Sequence, residues 1–239
     1  MNPLVTNSVL LLGATSPIGQ QLLLKLAVGG FEVTAQVPQA AAIGETGEFA
    51  VQVAHCAPAD ALELEPATLV VAAEPLDWAE ADALVTRLPQ RVARWVQCAS
   101  AADASALAHA RLHCARLRAQ GVATSLVRHA PTFAEVVGRV RAAGFVQRLW
   151  LARSRTQVAP VHEADVAHAA TRALQQGLEE VAVTGPQSLT WGAIVGVVHT
   201  ESGRRRGRVA PAQPAPDIHT LPGYLRRHHH VATPVAAPH

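Results

Sequence analysis

Lysine and tyrosine are almost absent from this chain. Its 239 residues include a single lysine, Lys25, and a single tyrosine, Tyr224. Because the two lie far apart in the sequence, no helix can present a Tyr and a Lys together on one face. A phosphate-binding P-loop is also excluded, since its lysine follows a glycine whereas Lys25 follows Leu24.

The chain also has few cysteines, no long apolar run and a small net charge. It contains three cysteines, an odd number without a CxxC pair: Cys56, Cys98 and Cys114. This is typical of reduced thiols in a cytosolic protein. No apolar run approaches the roughly 18 residues that indicate a membrane helix, and residues 1–8 lack the basic start of a secretory signal. A net charge of +2 is small for an extended nucleic-acid surface. We therefore expect a cytoplasmic protein that has neither nucleic acid nor a membrane as its partner.

The composition that remains is that of a globular protein, with 49% hydrophobic and 16% charged residues. From Ser202 onward the chain is rich in Arg, Pro and His. We expect one domain over residues 1–224 and a flexible His- and Pro-rich tail over 225–239.

Strand-like and helix-like segments alternate along this domain. Short apolar or alternating runs predict strands at 8–12, 31–37, 49–54, 68–73, 94–98, 124–128 and 181–184. Helical spacing predicts a helix between the first two strands and further helices at 79–88, within 101–120, at 163–176 and at 190–199. The alternation indicates an α/β fold with a doubly wound parallel sheet.

A glycine-rich turn, GATSPIG at 13–19, joins the first strand to the first helix. Amides at a helix N-terminus favour an anion, and glycines let a pyrophosphate approach the backbone closely. Ser16 and Pro17 are a good helix start, but Pro17 lacks an amide hydrogen, so the turn has one donor fewer. A helix cap without a ligand is the alternative interpretation.

The turn resembles the GATGxxG turn of extended and atypical short-chain dehydrogenase/reductases, especially their NmrA-like branch. Three later segments also resemble that branch: LRAQGVATSLVR at 117–128, VHEADVA at 161–167 and TGPQSLT at 184–190. The resemblance runs from about residue 8 to residue 208. It implies a Rossmann-like fold with a small C-terminal substrate-side portion, mainly 129–224, and a bound NAD or NADP.

The resemblance also implies the residues around the dinucleotide. The candidates are Gly13, Thr15, Ser16, Pro17, Ile18, Gly19, Gln36, Ala72, Ala73 and Ser100. The second strand ends in AQVPQ at 35–39, without the acid that would bind a ribose hydroxyl or the Arg that would accept a 2′-phosphate. NAD and NADP are therefore not distinguished.

The Tyr and Lys that most active members of the wider family use are missing. The helix within 101–120 has alanine, Ala106 and Ala110, at about the two positions. Substitute proton donors are Ser100, which could instead cap the helix, and His109 and His113, which are four residues apart and so share a helical face. The alternative interpretation of the two histidines is a polar surface stripe that also includes Arg116. No metal site is predicted, because the histidines of HEADVAH at 162–168 are six apart rather than four.

Three functions follow from these residues. The first is an NAD(P)-binding sensor or regulatory protein with little or no turnover. The second is an active NAD(P)-dependent oxidoreductase or epimerase-like enzyme that uses another proton donor on a small-molecule substrate. The third is a structural or assembly subunit that has lost the nucleotide and binds a protein partner.

Overall fold

A computed structural model describes residues 8–38, 51–58, 60–61, 69–74, 76–87, 92–203, 221 and 224. The strands are β1 Ser8–Leu12, β2 Glu32–Val37, β3 Val51–His55, β4 Leu69–Ala72, β5 Arg94–Ser100, β6 Ala123–His129, β7 Gln157–Val158, β8 Glu180–Val183 and β9 Leu189–Thr190. The helices are α1 Pro17–Val28, α2 Trp78–Arg87, α3 Ala104–Ala119, α4 Phe133–Ala142, α5 Phe145–Arg153, α6 Glu163–Gln176 and α7 Trp191–Gly203. The predicted tail at 225–239 and the predicted start of the third strand, at 49–50, lie outside the described residues.

Seven strands form one sheet in the order β3-β2-β1-β4-β5-β6-β8, and all neighbouring strands pair in parallel. This confirms the α/β, Rossmann-like, doubly wound sheet that the alternating pattern predicts. The continuous apolar run of β1 is explained by its central position, since it is buried on both faces. The order of the strands reverses between β1 and β4, and crevices at such a point are where α/β folds bind ligands.

Contacts between residues divide the chain into two compact units. The sheet unit comprises Met1–His129 and Glu163–Val183, and the helical unit comprises Ala130–His162 and Thr184–His239. Helix α6 and strand β8, which the sequence placed in the C-terminal portion, belong to the sheet unit: α6 packs on α1, and β8 pairs with β6.

The helical unit contains two helices that the sequence analysis did not predict, α4 and α5. Helix α4 begins with a capping box, in which Thr132 accepts from the Glu135 amide and Glu135 accepts from the Thr132 amide. Together α4, α5 and α7 surround an apolar core whose fully buried members include Phe133, Leu151 and Ile194. None of the described helices combines the length and the apolar character needed to cross a membrane.

Candidate functional site

The glycine-rich turn has the geometry of a helix start. The Ser16 hydroxyl oxygen accepts a hydrogen bond from the Gly19 amide at 2.9 Å, and Pro17 occupies the first helical turn. Gly13 has a φ of +72°, a left-handed conformation that favours glycine. A Cβ at Gly19 would collide with the Gly13 carbonyl oxygen. Only glycine at position 19 therefore allows α1 to pack this closely against the turn.

Two backbone amides of this turn are not used as hydrogen-bond donors. Among the described residues, the backbone N–H groups of Thr15 and Ile18 donate no hydrogen bond, whereas Ser16 donates to the Gly13 carbonyl. Unused amides in the first turn of a helix, together with its dipole, attract an anion. The start of α1 therefore retains two donors for a phosphate even though Pro17 has none.

Gln36 links this turn to the loop that follows β3. Its side-chain oxygen accepts a hydrogen bond from the Gly13 amide at 3.2 Å, and its side-chain nitrogen donates to the Cys56 carbonyl at 2.7 Å. Only 3% of Gln36 is exposed. A buried carboxamide with both ends bonded holds the two loops in place, and one of its bonds uses an amide of the glycine-rich turn.

An open cleft of about 580 Å³ lies at the carboxyl ends of β1 to β4, within the size range of small-molecule and cofactor sites. Its wall comes from the glycine-rich turn and from the loops that follow β2, β3 and β4. The lining residues are Leu12, Gly13, Thr15, Gln36, Pro38, Cys56, Ala57, Pro58, Asp60, Glu74, Leu76 and Glu80.

The charged residues of this wall are all acidic. Asp60, Glu74 and Glu80 line the cleft, and no Lys or Arg is among its described lining residues. The surrounding sequence has the same character, because residues 26–86 contain ten Asp and Glu and no Lys or Arg. Burial, and then the nearby Asp60 carboxylate, raise the pKa of the Cys56 thiol above its usual value. The described wall of the cleft therefore carries negative charge both after β3 and after β4.

The structure places nine of the ten predicted cofactor-binding residues, all but Ser100, in three groups. Gly13, Thr15 and Gln36 line the cleft, while Ser16, Pro17, Ile18 and Gly19 form the turn behind it. Ala72 and Ala73 are buried, with exposures of 0% and 1%, and do not line the cleft.

The sequence analysis missed the three acids of the wall. Asp60 follows β3, and Glu74 and Glu80 follow β4. Their positions after the carboxyl ends of parallel strands were the available signal.

His109 and His113 do not line the cleft but a separate small cavity beneath α3. The interpretation of a polar surface stripe is wrong for His113, which is 3% exposed and packs edge-on against Trp95 with ring centroids 5.0 Å apart. Together with Gln97, both histidines line a cavity of about 10 Å³. A cavity of this volume has room for roughly one water molecule. His113 is buried because the helical spacing of α3 turns it toward β5, where an aromatic ring covers it.

Ser100 is the last residue of β5 and is half-buried. The suggestion that it caps the next helix is wrong, because Asp103 is the N-cap of α3 and its carboxylate accepts from the Ala106 amide at 2.9 Å. Aspartate is a strong N-cap, and it lies immediately before the first helical residue.

The HEADVAH segment does not assemble a metal site. His162 packs edge-on against the Phe133 and Tyr224 rings of the helical unit. In the part of the chain that the structure describes, no three His, Cys, Asp or Glu side chains gather as metal ligands.

No protein-family model matches the chain, and no curated protein matches it in sequence. Its fold resembles solved structures that include nucleotide-sugar epimerases. A UDP-galactose 4-epimerase aligns with a TM-score of 0.64 at 15% identity, over 82% of this chain and 83% of that one. The UDP-glucose 4-epimerase of Thermus thermophilus, in complex with NAD, gives 0.63 at 15% identity over 82% and 83%. The Bordetella bronchiseptica enzyme WbmG, in complex with NAD, gives 0.60 at 16% over 93% and 86%. At identities this low, the structural alignments show a shared fold alone.

Proposed function

We propose that this chain binds NAD(H) in the cleft of the sheet unit and has little or no turnover, as a sensor or regulatory protein. The observation that carries the proposal is the position of the cleft at the reversal of strand order, against the glycine-rich turn. Thr15 of this turn lines the cleft, and the amides of Thr15 and Ile18 donate no hydrogen bond within the described chain. A pyrophosphate placed there would accept from both amides and face the positive end of the α1 dipole. The NAD complexes among the structural neighbours support the same ligand.

The electrostatics of the cleft favour NAD over NADP. A 2′-phosphate would add up to two negative charges to a cleft whose wall carries Asp60 and Glu74, in a stretch of sequence, residues 26–86, that has no Lys or Arg. Like charges in a partly enclosed cleft repel, and the described lining offers no Lys or Arg to offset the repulsion. The carboxamide of Gln36, which is already bonded at both ends, supplies no charge.

The low turnover follows from the missing proton donor. The only Tyr and the only Lys of the chain lie outside α3, which has alanine at 106 and 110. His109 and His113 do not line the cleft, so they are poorly placed to replace the pair. We place the chain in the NmrA-like branch of the atypical reductases on its sequence segments.

An active epimerase-like or oxidoreductase function is the second candidate. The structural neighbours that favour it are epimerases, and Ser100 at the end of β5 is the remaining candidate donor. Purified protein that oxidises or reduces its cofactor with any member of a carbonyl substrate panel would establish this candidate and overturn the low-turnover proposal.

Thermal unfolding with excess NAD, NADH, NADP and NADPH tests the binding proposal. A ligand that binds only the folded state at about 100 times its Kd adds roughly 2.7 kcal/mol, which raises Tm by about 5–10 °C for a chain of this size. We expect that shift with NAD or NADH and a smaller one with the phosphorylated pair. Thr15→Asp should abolish the shift by placing a carboxylate at the phosphate site. The control Thr200→Asp, at an exposed position of α7, should leave the shift unchanged.

A further arm tests the charge selectivity. Asp60→Asn combined with Glu74→Gln should increase the shift with NADP relative to NAD. A larger shift with NADP than with NAD in the wild-type chain would overturn the proposed preference for NAD. No shift with any of the four nucleotides would overturn the binding proposal and favour an assembly subunit.

A further inference from the structure

The helical unit presents an unusual apolar face to solvent. Phe145, Val146, Leu149 and Trp150 of α5 are 83%, 78%, 43% and 68% exposed. At 3.6 residues per turn, these four side chains fall within about 140° of the helix circumference. Leu151, on the opposite side, is 1% exposed and anchors the helix in the core of its unit. Large apolar side chains gathered on one exposed face indicate a contact surface.

Positive charge surrounds this face. Residues 136–162 contain five arginines and no acidic residue. Arg153 lies within the same arc of α5 as the four apolar side chains and is exposed, as are Arg141 and Arg155. Arg148 donates to the Arg141 carbonyl at 2.8 Å, which holds its guanidinium beside a groove of about 440 Å³ between α5 and α7.

The charge extends to the whole helical unit. That unit has eleven arginines against three acidic residues, a net charge of +8 with His neutral, although the chain as a whole has only +2. The small overall charge conceals a strongly basic region, because the sheet unit carries the compensating acids. A partner of the α5 face must therefore be anionic and must also accept aromatic and aliphatic side chains.

We propose that the α5 face docks the protein on an anionic lipid surface. Trp, Phe and Leu side chains enter the boundary between headgroups and acyl chains, while arginines bind the lipid phosphates around them. Nucleic acid would complement the positive charge but not the apolar side chains, and a second copy that paired through this same face would bring like charge against like charge. The helix lies on the membrane and does not span it, since α5 has only nine residues.

Flotation of the full chain with vesicles tests the proposal. Vesicles of phosphatidylcholine alone are compared with vesicles that contain phosphatidylglycerol in equal amount. We expect at least roughly tenfold stronger binding to the anionic vesicles at low salt, with a steep loss at high salt. Iodide quenching of tryptophan should decrease on binding, because Trp150 is exposed whereas Trp95 and Trp191 are buried.

Matched variants separate the apolar and the charged contributions. Phe145→Ser with Trp150→Ser should weaken binding to the anionic vesicles roughly tenfold or more, and Arg153→Gln with Arg155→Gln should do the same. The control for the first pair is Leu24→Ser with Leu112→Ser, which removes two half-exposed apolar side chains from the sheet unit. Arg116→Gln with Arg118→Gln, on exposed positions of α3, is the control for the second. Both controls should stay within about twofold of the wild type.

Four results would overturn the proposal. These are equal binding to neutral and anionic vesicles, no binding to either, binding that survives Phe145→Ser with Trp150→Ser, and binding that the control pairs weaken equally. A concentration-dependent dimer that this double variant dissociates would assign the face to a second copy instead. Binding to duplex DNA that outcompetes the vesicles would assign the arginines to nucleic acid. Because the replaced side chains are exposed, unchanged Tm values should show that each variant is folded.

Discussion

The two units of the chain differ in the sign of their charge and in what they leave exposed. The sheet unit has nine basic and fifteen acidic residues, whereas the helical unit has eleven and three. Three acids of the sheet unit line a cleft that is built from strand ends, whereas exposed arginines of the helical unit lie near an apolar helix face. The net charge of a whole chain can therefore mislead, because the field that a ligand meets is local.

The core of the helical unit gives the largest expected effect. Phe133 is 1% exposed and contacts the Tyr224 and His162 rings, with centroids 5.3 and 6.0 Å away. Phe133→Ala should lower the free energy of unfolding by about 3–5 kcal/mol, because it removes a buried ring and leaves a cavity. Denaturant unfolding monitored by tryptophan fluorescence measures this loss.

Phe145→Ala is the control for Phe133→Ala, since the same substitution there removes a ring that is 83% exposed. Its effect should be within about 0.5 kcal/mol. Equal losses for the two variants would mean that Phe145 is buried by a contact in solution, and the contrast between an internal core and an open face would fail.

Alkaline pH should act on the sheet unit, which contains all three cysteines of the chain. Burial raises the pKa of the Cys98 thiol to about 12, and burial, partly offset by Arg118, raises that of Cys114 to about 11, from 9.0. Above pH 9 the unfolded thiols ionise while the folded ones keep their protons, so the free energy of unfolding falls as pH rises. The loss should be about 1 kcal/mol per thiol for each pH unit until the folded pKa is reached.

Urea unfolding between pH 8 and pH 10.5 measures this slope. The variant Cys98→Ala with Cys114→Ala should have a lower stability at pH 8 but a flatter dependence on pH. If the slope of the wild type and that of the variant were the same, groups other than these thiols would be responsible.

The smallest effect is expected at Glu180 on β8, where acidic and basic side chains of the sheet unit meet. Its carboxylate lies 3.5 Å from both the Arg111 and Arg128 guanidinium groups, and all three side chains are about half exposed. Glu180→Gln should lower the free energy of unfolding by less than about 1 kcal/mol, and added salt should remove the difference. Thermal unfolding at low and high salt tests this, and a loss that persists in salt would contradict a purely electrostatic role.

Sequence patterns predicted the sheet unit well because its signals are local. The apolar run of β1 and the Ser16–Pro17 helix start each specify their element within a few neighbouring residues. The capping box of α4 is an equally local signal that the analysis overlooked. Helix α5 was harder to predict because its exposed apolar face is the reverse of the usual amphipathic pattern.

The candidate site could be predicted only in part. The position of the glycine-rich turn after the first strand was enough to locate Gly13 and Thr15 on the cleft. The acids Asp60 and Glu74 are distant from that turn in the sequence, and only the parallel order of the strands brings them to the same edge of the sheet. His113 shares the buried face of α3 with Leu107 and Leu117, but the Trp95 ring that covers it belongs to β5, far away in the sequence.

The sequence alone determined the α/β alternation, the turn that starts α1 and the absence of a Tyr and Lys pair, because each depends on residue type or on short-range spacing. Only the tertiary structure decided that Gln36 joins the turn to the β3 loop, that the cleft wall is acidic and that α5 exposes its apolar side. These features depend on which residues far apart in the chain come into contact and on which side chains stay exposed. Both are decided only when the strands pair and the helices pack.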